Sequence, residues 1–325
     1  MILADLASVS PLLAIDVKTQ LAQPLILGIF QGSVYGLIGL GLVLLYKSNR
    51  IFNFAQAEFG TVAAITAYLG INGQLFGISW HMPYAVACVV GVGFGVLSAI
   101  LTERLIVRPL FNRPKVILVV GTVGALLLMI ALEGLVFSNL RSLPSVNDAK
   151  QGLLSGLKDP ALRVGFAGYN IQWQQLLTLF TLVVLALASV AFFRFSRTGT
   201  AILAVSQEPT AAQVVGISVG RISLITWALA GFLGSVAGLL VTASGGLVGA
   251  GSVTGTTLVT GITAAVLGGI TSLPGAFVGG ILVGLLQAYA GAFVTQFPGS
   301  EGVAVGLVLL LVLLIRPQGL LGKEA

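Results

Sequence analysis

Four stretches of this chain carry no Asp, Glu, Lys or Arg, and they constrain its fold more than any other feature: Thr19–Tyr46, Phe59–Thr102, Val164–Phe193 and Ile222–Ser300. A helix that crosses a membrane needs roughly 20 mostly apolar residues. Charged residues make up 8% of the chain, whereas a soluble domain has about 25%. A transmembrane β-barrel would instead show alternating segments of about 10 residues. The sequence therefore predicts an all-α polytopic membrane bundle, a single domain over residues 1–325 with about eight or nine transmembrane helices.

Nine candidate spans can be placed on the apolar runs. They are Pro24–Tyr46, Phe59–Phe76, Pro83–Thr102, Val116–Phe137, Ile171–Phe193, Ile222–Ala243, Thr256–Thr271, Gly275–Phe297 and Val303–Ile315. The last four are rich in glycine, and a re-entrant segment is the alternative at Ser244–Gly255.

The basic residues predict the orientation, because Lys and Arg accumulate in the short cytoplasmic loops of membrane proteins. With nine crossings and an external N-terminus, eleven of the 16 basic residues fall inside. They are Lys47, Arg50, Arg104, Arg108, Arg113, Lys115, Arg194, Arg197, Arg221, Arg316 and Lys323. This predicts a cytoplasmic C-terminus, an external loop at 138–170 and a cytoplasmic loop at 198–220. Since the basic residues sit beside membrane segments, the net charge of +6 does not indicate nucleic-acid binding.

Many of the 43 glycines lie four residues apart, which places two of them on one helix face. The pairs are Gly32/Gly36, Gly91/Gly95, Gly234/Gly238, Gly275/Gly279 and Gly280/Gly284. Because lipid supplies little hydrophobic force between helices, such faces are expected to hold the bundle together by close backbone approach.

Polar residues cluster at the start of the second span, where Asn53, Gln56 and Glu58 follow one another closely. An ionisable residue inside a membrane is a functional candidate, so these three are expected to line or support the inner mouth of a solute path. The alternative is that they only cap the second helix near the membrane surface. Glu103, beside Arg104, is expected to be an interfacial charge.

The most informative polar segment runs from Arg194 to Arg221, between two apolar spans. It has basic ends, a proline that suits the first turn of a helix, and small residues that leave a flat surface. The segment predicts a short exposed helix on which another protein docks, and an ordinary amphipathic connector is the alternative. The docking residues expected are Glu208, Pro209, Ala211, Ala212, Gly216 and Ile217.

The sequence favours neither catalysis nor metal binding. It has a single histidine, no His-Glu-x-x-His zinc motif and no Gly-x-x-x-x-Gly-Lys-Ser/Thr nucleotide loop. We therefore expect no catalytic residue, no metal and no cofactor, and any ATP is expected to bind to a different chain.

Three motifs resemble those of one family. The segment from Gly32 to Gly60 contains Asn53-Phe-Ala-Gln-Ala57-Glu58, and resembles the first permease subunit of bacterial branched-chain amino acid ABC importers. Ala57 departs from this pattern, since glycine is usual there. The Ala211–Ile217 segment is similar to the family's ATPase-docking loop, and Gly268–Gly280 to its C-terminal signature. The resemblance extends from Gln23 to about Gly322.

This resemblance implies a pore-forming permease subunit in the bacterial inner membrane. It also implies a second homologous permease subunit, two cytosolic ATP-binding subunits and an extracytoplasmic solute-binding protein, besides membrane lipid. Branched-chain or other neutral amino acids are the expected solutes, with urea or short amides as the alternative in the same importer class. A secondary transporter is disfavoured because Ile222–Ser300 lacks any charge, and a membrane-embedded enzyme because catalytic residues are lacking.

Overall fold

The computed structural model describes residues 2–75, 79–111, 113–137, 141–144, 162–164, 169–294, 297, 299–316 and 318–322. Most of these residues are helical. The helices are α1 (Ile2–Asn49), α2 (Glu58–Ile71), α3 (Tyr84–Thr102), α4 (Arg108–Leu110), α5 (Lys115–Val136), α6 (Trp173–Phe195), α7 (Arg197–Gln207), α8 (Pro209–Val214), α9 (Val219–Ala243), α10 (Ser252–Gly268), α11 (Leu273–Phe293) and α12 (Ser300–Ile315). A π-helical segment, Glu103–Val107, joins α3 to α4. The predicted all-α membrane bundle is confirmed.

Each predicted span corresponds to a helix, but not every helix has the length of a span. Six helical segments in the described part of the chain are long and apolar enough to cross a membrane. They are Leu21–Asn49, Tyr84–Leu110, Lys115–Val136, Trp173–Phe195, Val219–Ala243 and Leu273–Phe293. The apolar helices Glu58–Ile71, Thr257–Gly268 and Ser300–Ile315 are shorter. The second span is the largest departure, because α2 has 14 residues, or about 21 Å at 1.5 Å per residue.

Four short strands complete the described structure. Strand β1 (Arg141–Ser142) pairs antiparallel with β4 (Leu247–Val248), with Arg141 opposite Val248. Strands β2 (Leu162–Val164) and β3 (Tyr169–Ile171) form a second antiparallel pair. Most of the predicted external loop 138–170 lies outside the described residues. The β1–β4 pair places Arg141 and Ser142 of this loop beside the connection between α9 and α10.

Close glycine contacts hold the centre of the bundle. A Cβ added at Gly280 would overlap the backbone of Gly36, and one at Gly32 would lie 2.7 Å from the Cα of Ile281. Gly60 of α2 faces Gly234 and Gly238 of α9 in the same way. Among lipid-facing helices such contacts allow tight backbone packing that larger side chains would prevent.

The other predicted packing glycines also lie at helix contacts. Gly275 and Gly279 of α11 approach the backbone around Gly268 of α10, and Gly284 approaches Gly28 and Gly32 of α1. Helices α1, α10 and α11 therefore form one close-packed layer, against which α9 and α2 lie.

Contacts between helix ends define two faces of the bundle. On one face the Lys47 Nζ donates to the carbonyl of Thr271 (3.1 Å), and Leu321 N donates to Gly268 O (3.0 Å). This face also bears α7 and α8, so we call it the α7–α8 face. On the opposite face Tyr289 Oη donates to Leu21 O (2.9 Å), and β1 pairs with β4.

Replacing Gly280 by alanine should destabilise the folded protein, because the added methyl group has no space against Gly36. We expect a loss of about 1–3 kcal/mol in the free energy of unfolding, measured by denaturation in mixed micelles with SDS.

Gly124→Ala in α5 is the matched control, since a Cβ there meets nothing within 4 Å. That change should be neutral, or stabilising by up to about 1 kcal/mol through helix propensity. Equal stability of the two variants would contradict the packing role of Gly280.

Candidate functional site

A break in the helical structure separates α1 from α2. Helix α1 ends at Asn49, and Arg50 has φ +53°, in the left-handed region that is uncommon for any residue except glycine. The Arg50 N–H still donates to Tyr46 O (2.9 Å), which closes the last turn. From Ile51 to Ala57 the chain then runs back into the protein interior without forming an α-helix.

Non-helical backbone at membrane depth needs partners inside the protein, and the Ile51–Ala57 segment has them. The Asn53 Oδ1 accepts from Ala55 N (3.0 Å), and the Asn53 amide donates to Gln56 Oε1 (3.4 Å). Gln56 Nε2 donates to Ala230 O (2.8 Å), near the middle of α9. A carbonyl oxygen can accept two hydrogen bonds, so Ala230 O can bind Gln56 in addition to its partner within the helix. This bond attaches the non-helical segment to the centre of the bundle.

Glu58 opens α2 and is fully buried, at 0% exposure. Its carboxyl group accepts a hydrogen bond from the Thr254 hydroxyl of α10 and lies beside the carboxyl group of Glu133 in α5. The Glu133 Oε2 also accepts from Gly251 N (3.1 Å), just before α10 begins. Two acids that lie far apart in the sequence therefore join α2, α5 and the start of α10.

One expectation for this segment needs correction, namely that these residues cap α2. Asn53, Gln56 and Glu58 lie at 1%, 0% and 0% exposure, so they are inside the bundle. No side chain caps the start of α2, where the N-cap residue is Ala57. The three residues bond to α9, α10 and their own turn, and they line neither of the cavities described next.

A cavity of about 610 Å³ opens beside the start of α10. It is lined by residues from α1, α6, the end of α9, the α9–α10 connection and α10: Leu27, Phe30, Gln31, Val34, Tyr35, Gln175, Thr178, Val241, Ser244, Gly245, Gly246, Leu247, Ser252 and Thr257. Its walls combine aliphatic and aromatic groups with amides and hydroxyls, and none of its lining side chains is charged at neutral pH. We call it the neutral cavity.

The neutral cavity lies toward the face opposite α7 and α8. It is lined by the first half of the α1 span, the first turns of α6, the last turn of α9 and the first turns of α10. On α1 the lining residues from Leu27 to Tyr35 recur at positions i, i+3, i+4, i+7 and i+8, which is one helix face. The sequence shows this spacing, but it does not show which face of α1 lines a cavity. That is determined by how α1 packs against α6 and α10.

A second cavity, of about 480 Å³, adjoins the neutral one and shares Leu27 and Gln31 with it. Gln23, Gln287 and Glu301 contribute polar groups to its wall. Both cavities lie on the face opposite α7 and α8, on either side of the shared residues Leu27 and Gln31. The Glu58–Thr254 bond fixes the first turn of α10, and with it the wall that Ser252 and Thr257 supply.

The predicted docking segment folds into two short helices. Ser196 begins α7, and its hydroxyl accepts from Thr198 N (3.2 Å). Glu208 begins α8, and its carboxylate accepts from Thr210 N (3.4 Å), with Pro209 in the first turn. Ile202 and Val205 of α7 are buried at 0% and 3% exposure. This anchors α7 to the bundle and leaves α8 projecting from it.

The exposed face of α8 differs from the expected one. Ala212 is only 4% exposed and belongs to the core, so its methyl group is not available to a partner. Ala211, Pro209 and Gly216 are exposed, and Ile217 is half-buried. The sequence analysis missed Val214 and Val215, which are 83% and 75% exposed. Two adjacent apolar residues within a polar segment are the sequence signal that would have identified them.

Gly216 has a conformational role. Its φ is +88°, and nothing lies within 4 Å of an added Cβ. The backbone turn that ends α8 therefore requires a glycine at this position.

An ion pair between Glu103 and the half-exposed Arg108 lies where the segment after α3 meets the start of α9. Glu103, which was expected to be an interfacial charge, lies at the end of α3 at 1% exposure, and its partner is Arg108, at 3.1 Å. Arg108 Nη2 also donates to Gly220 O (2.9 Å) in the first turn of α9. The guanidinium therefore fixes the start of α9 to the π-helical segment after α3.

The segment Gly216-Ile-Ser218-Val-Gly220 matches the Gly-x-Ser-x-Gly spacing of hydrolase nucleophiles. In those enzymes the serine lies on a turn between a strand and a helix, whereas Ser218 lies between α8 and α9. The single histidine, His81, lies beside Gly73 near the end of α2. This geometry does not support catalysis.

Comparison with known proteins agrees with these features. A family model described as branched-chain amino acid transport system / permease component matches residues 25–315. The high-affinity branched-chain amino acid transport system permease protein BraD of Pseudomonas aeruginosa is 29% identical over 310 residues, 93% of this chain and 95% of that protein. LivH of Escherichia coli K12 is 28% identical over 309 residues, 93% of this chain and 95% of that protein.

More distant relatives carry other names. The fructose import permease protein FruG of Bifidobacterium longum is 22% identical over 265 residues, 79% of this chain and 73% of that protein. No solved structure matches the chain. Because the family model covers nearly the whole described bundle, the chain belongs to the permease-component family of branched-chain amino acid transport systems.

Proposed function

We propose that this permease subunit imports branched-chain or other neutral amino acids, driven by ATP hydrolysis in separate subunits. The observation that carries the proposal is the neutral cavity on the face opposite an exposed apolar pair, Val214 and Val215. A solute enters at one face, and the energy of ATP hydrolysis is delivered at the other.

The basic residues support an orientation with the α7–α8 face in the cytoplasm. Lys47, Arg50, Arg108, Arg194 and Arg316 all lie at helix ends on this face. The opposite face then holds the α1 N-terminus and the neutral cavity, and it receives solute from an extracytoplasmic binding protein.

Cys substituted at Thr198, in the first turn of α7, tests this orientation. We expect a membrane-impermeant maleimide to label it in inverted vesicles and not in intact cells. Labelling from the outside alone would reverse the proposed topology.

The cavity walls suit a solute without net charge, because no charged side chain compensates an ion there. Phe30, Val34 and Val241 offer apolar contact for an aliphatic side chain, while Gln31 and Gln175 offer amide groups for a zwitterionic end. Urea or a short amide would use the amides and leave the apolar wall without contact. The mixed wall therefore favours a branched-chain amino acid.

Val34→Trp should fill the neutral cavity and reduce uptake by at least about tenfold, because the indole takes the space of the solute. Leu25→Trp is the control, since Leu25 lies on the same helix at 43% exposure and lines neither cavity. The measurement is leucine uptake by the reconstituted importer, with urea and acetamide as competitors. Normal leucine uptake by the Val34→Trp protein would show that the path runs elsewhere.

We further propose that α8 docks onto an ATP-binding subunit through Val214, Val215 and Ala211. Importers of this kind need two such subunits, and a second permease subunit to complete the pore. Helix α8 projects from the bundle, and its exposed apolar pair would be desolvated in a partner's cleft. Arg108 and the first turn of α9 then connect this surface to the bundle.

Val214→Asp with Val215→Asp should separate ATP hydrolysis from transport, because two carboxylates cannot be buried unpaired in the cleft. We expect solute-stimulated ATPase activity to fall at least about tenfold, with unchanged membrane insertion. Val214→Leu with Val215→Leu keeps the apolar surface and should retain most activity. Full activity of the double aspartate variant would refute the docking role.

A further inference from the structure

A third cavity, of about 580 Å³, lies on the α7–α8 face, away from both the neutral cavity and α8. It is formed where α1 and α6 end and α11 begins. Its lining residues are Lys47, Arg50, Val190, Phe193, Arg194, Thr271, Ser272, Leu273, Pro274 and Leu321. We call it the basic cavity.

Three cations line the basic cavity, and no acidic residue does. Within the described residues the one ion pair is Arg108 with Glu103, so the cavity's cations have no carboxylate partner there. Lys47 Nζ donates to Thr271 O and lies 5.9 Å from the Phe193 ring centroid, while the Arg50 guanidinium lies over Tyr46. Neutral contacts hold these side chains in place and leave their charges uncompensated.

The start of α11 adds to the positive potential. Ser272 is the N-cap, and its hydroxyl accepts from Gly275 N (3.1 Å). The first turn of a helix carries the positive end of the helix dipole, so the cations and the α11 dipole act together on the same cavity.

The remaining walls are apolar. Val190, Phe193, Leu273, Pro274 and Leu321 border the cavity, and Val190 is exposed on the outer side of α6. Because α1 and α6 end here, the cavity lies at the level of the lipid headgroups. A ligand that fits must therefore combine a negative group with hydrocarbon.

We propose that the basic cavity binds the headgroup phosphate of an anionic phospholipid of the inner leaflet, with an acyl chain along Val190 and Phe193. Basic pockets between transmembrane helices recognise such headgroups. The leaflet follows from the proposed orientation, whereas the chemistry of the site does not depend on it. The lipid would bridge α1, α6 and the α10–α11 connection.

The test compares two double variants with equal loss of charge. Arg50→Gln with Arg194→Gln removes two cavity cations but keeps Lys47 and its bond to Thr271. Arg113→Gln with Arg197→Gln removes two exposed cations on the same face that do not line the cavity. Purified protein in neutral detergent is titrated with phosphatidylglycerol, with phosphatidylcholine or with inorganic phosphate, and both thermal unfolding and bound lipid by native mass spectrometry are measured.

We expect phosphatidylglycerol to raise the melting temperature of the wild-type and control proteins, and phosphatidylcholine to do so far less. The dissociation constant for phosphatidylglycerol should rise about thirtyfold in the cavity variant, at about fivefold per basic residue. Equal binding by the cavity and control variants would overturn the site. An equal shift with inorganic phosphate alone would show an anion site and overturn the lipid assignment.

Val190→Trp probes the hydrocarbon part of the site without changing charge. It should weaken phosphatidylglycerol binding and leave any effect of inorganic phosphate unchanged. Unaltered lipid affinity in this variant would contradict the placement of the acyl chain.

Discussion

The close approach of glycine backbones is the interaction on which the rest of this structure depends. Gly280 of α11 meets Gly36 of α1, and Gly60 of α2 meets Gly238 of α9. In lipid, helices gain little from burying apolar surface against one another, so dispersion contacts at short separation must hold them together. These contacts bring α1, α9, α10 and α11 near enough for buried polar groups to reach one another.

That proximity makes the break between α1 and α2 possible. An interrupted helix in hydrocarbon leaves backbone and side-chain polar groups that cost several kcal/mol each without a partner. Here Gln56 reaches Ala230, and Glu58 reaches Thr254 and Glu133. The Glu58–Thr254 bond fixes the first turn of α10, so the break supports the wall of the neutral cavity without lining it.

Helix α9 connects the two proposed functional regions. It begins directly after α8, where Arg108 holds Gly220, and its last turn contributes Val241 to the neutral cavity. Between these ends it packs on Gln56 and Gly60 of the broken segment. Helix α9 is therefore the element that contacts the break, lines the neutral cavity and begins beside the proposed docking surface.

The sequence predicted the family, the helical class and the approximate positions of the helices. Long uncharged runs and glycine spacing can be read locally, and in a membrane these two properties govern where helices form and how they pack. It also located the exposed segment around Pro209. It did not predict that α2 begins deep in the bundle, because the sequence shows which residues are polar but not how far the chain re-enters before the helix starts.

The sequence by itself determined that the uncharged stretch Ile222–Ser300 forms apolar helices, and that glycines four residues apart share a helix face. Only the tertiary structure decided that Ala212 faces the core while Val214 and Val215 face outward, because that depends on how α7 and α8 lie on the bundle. It also decided that Glu58 and Glu133 meet, and that Lys47, Arg50 and Arg194 line one cavity. These residues are far apart in the sequence and meet only because the helices pack together. Local sequence patterns therefore do not predict that they meet.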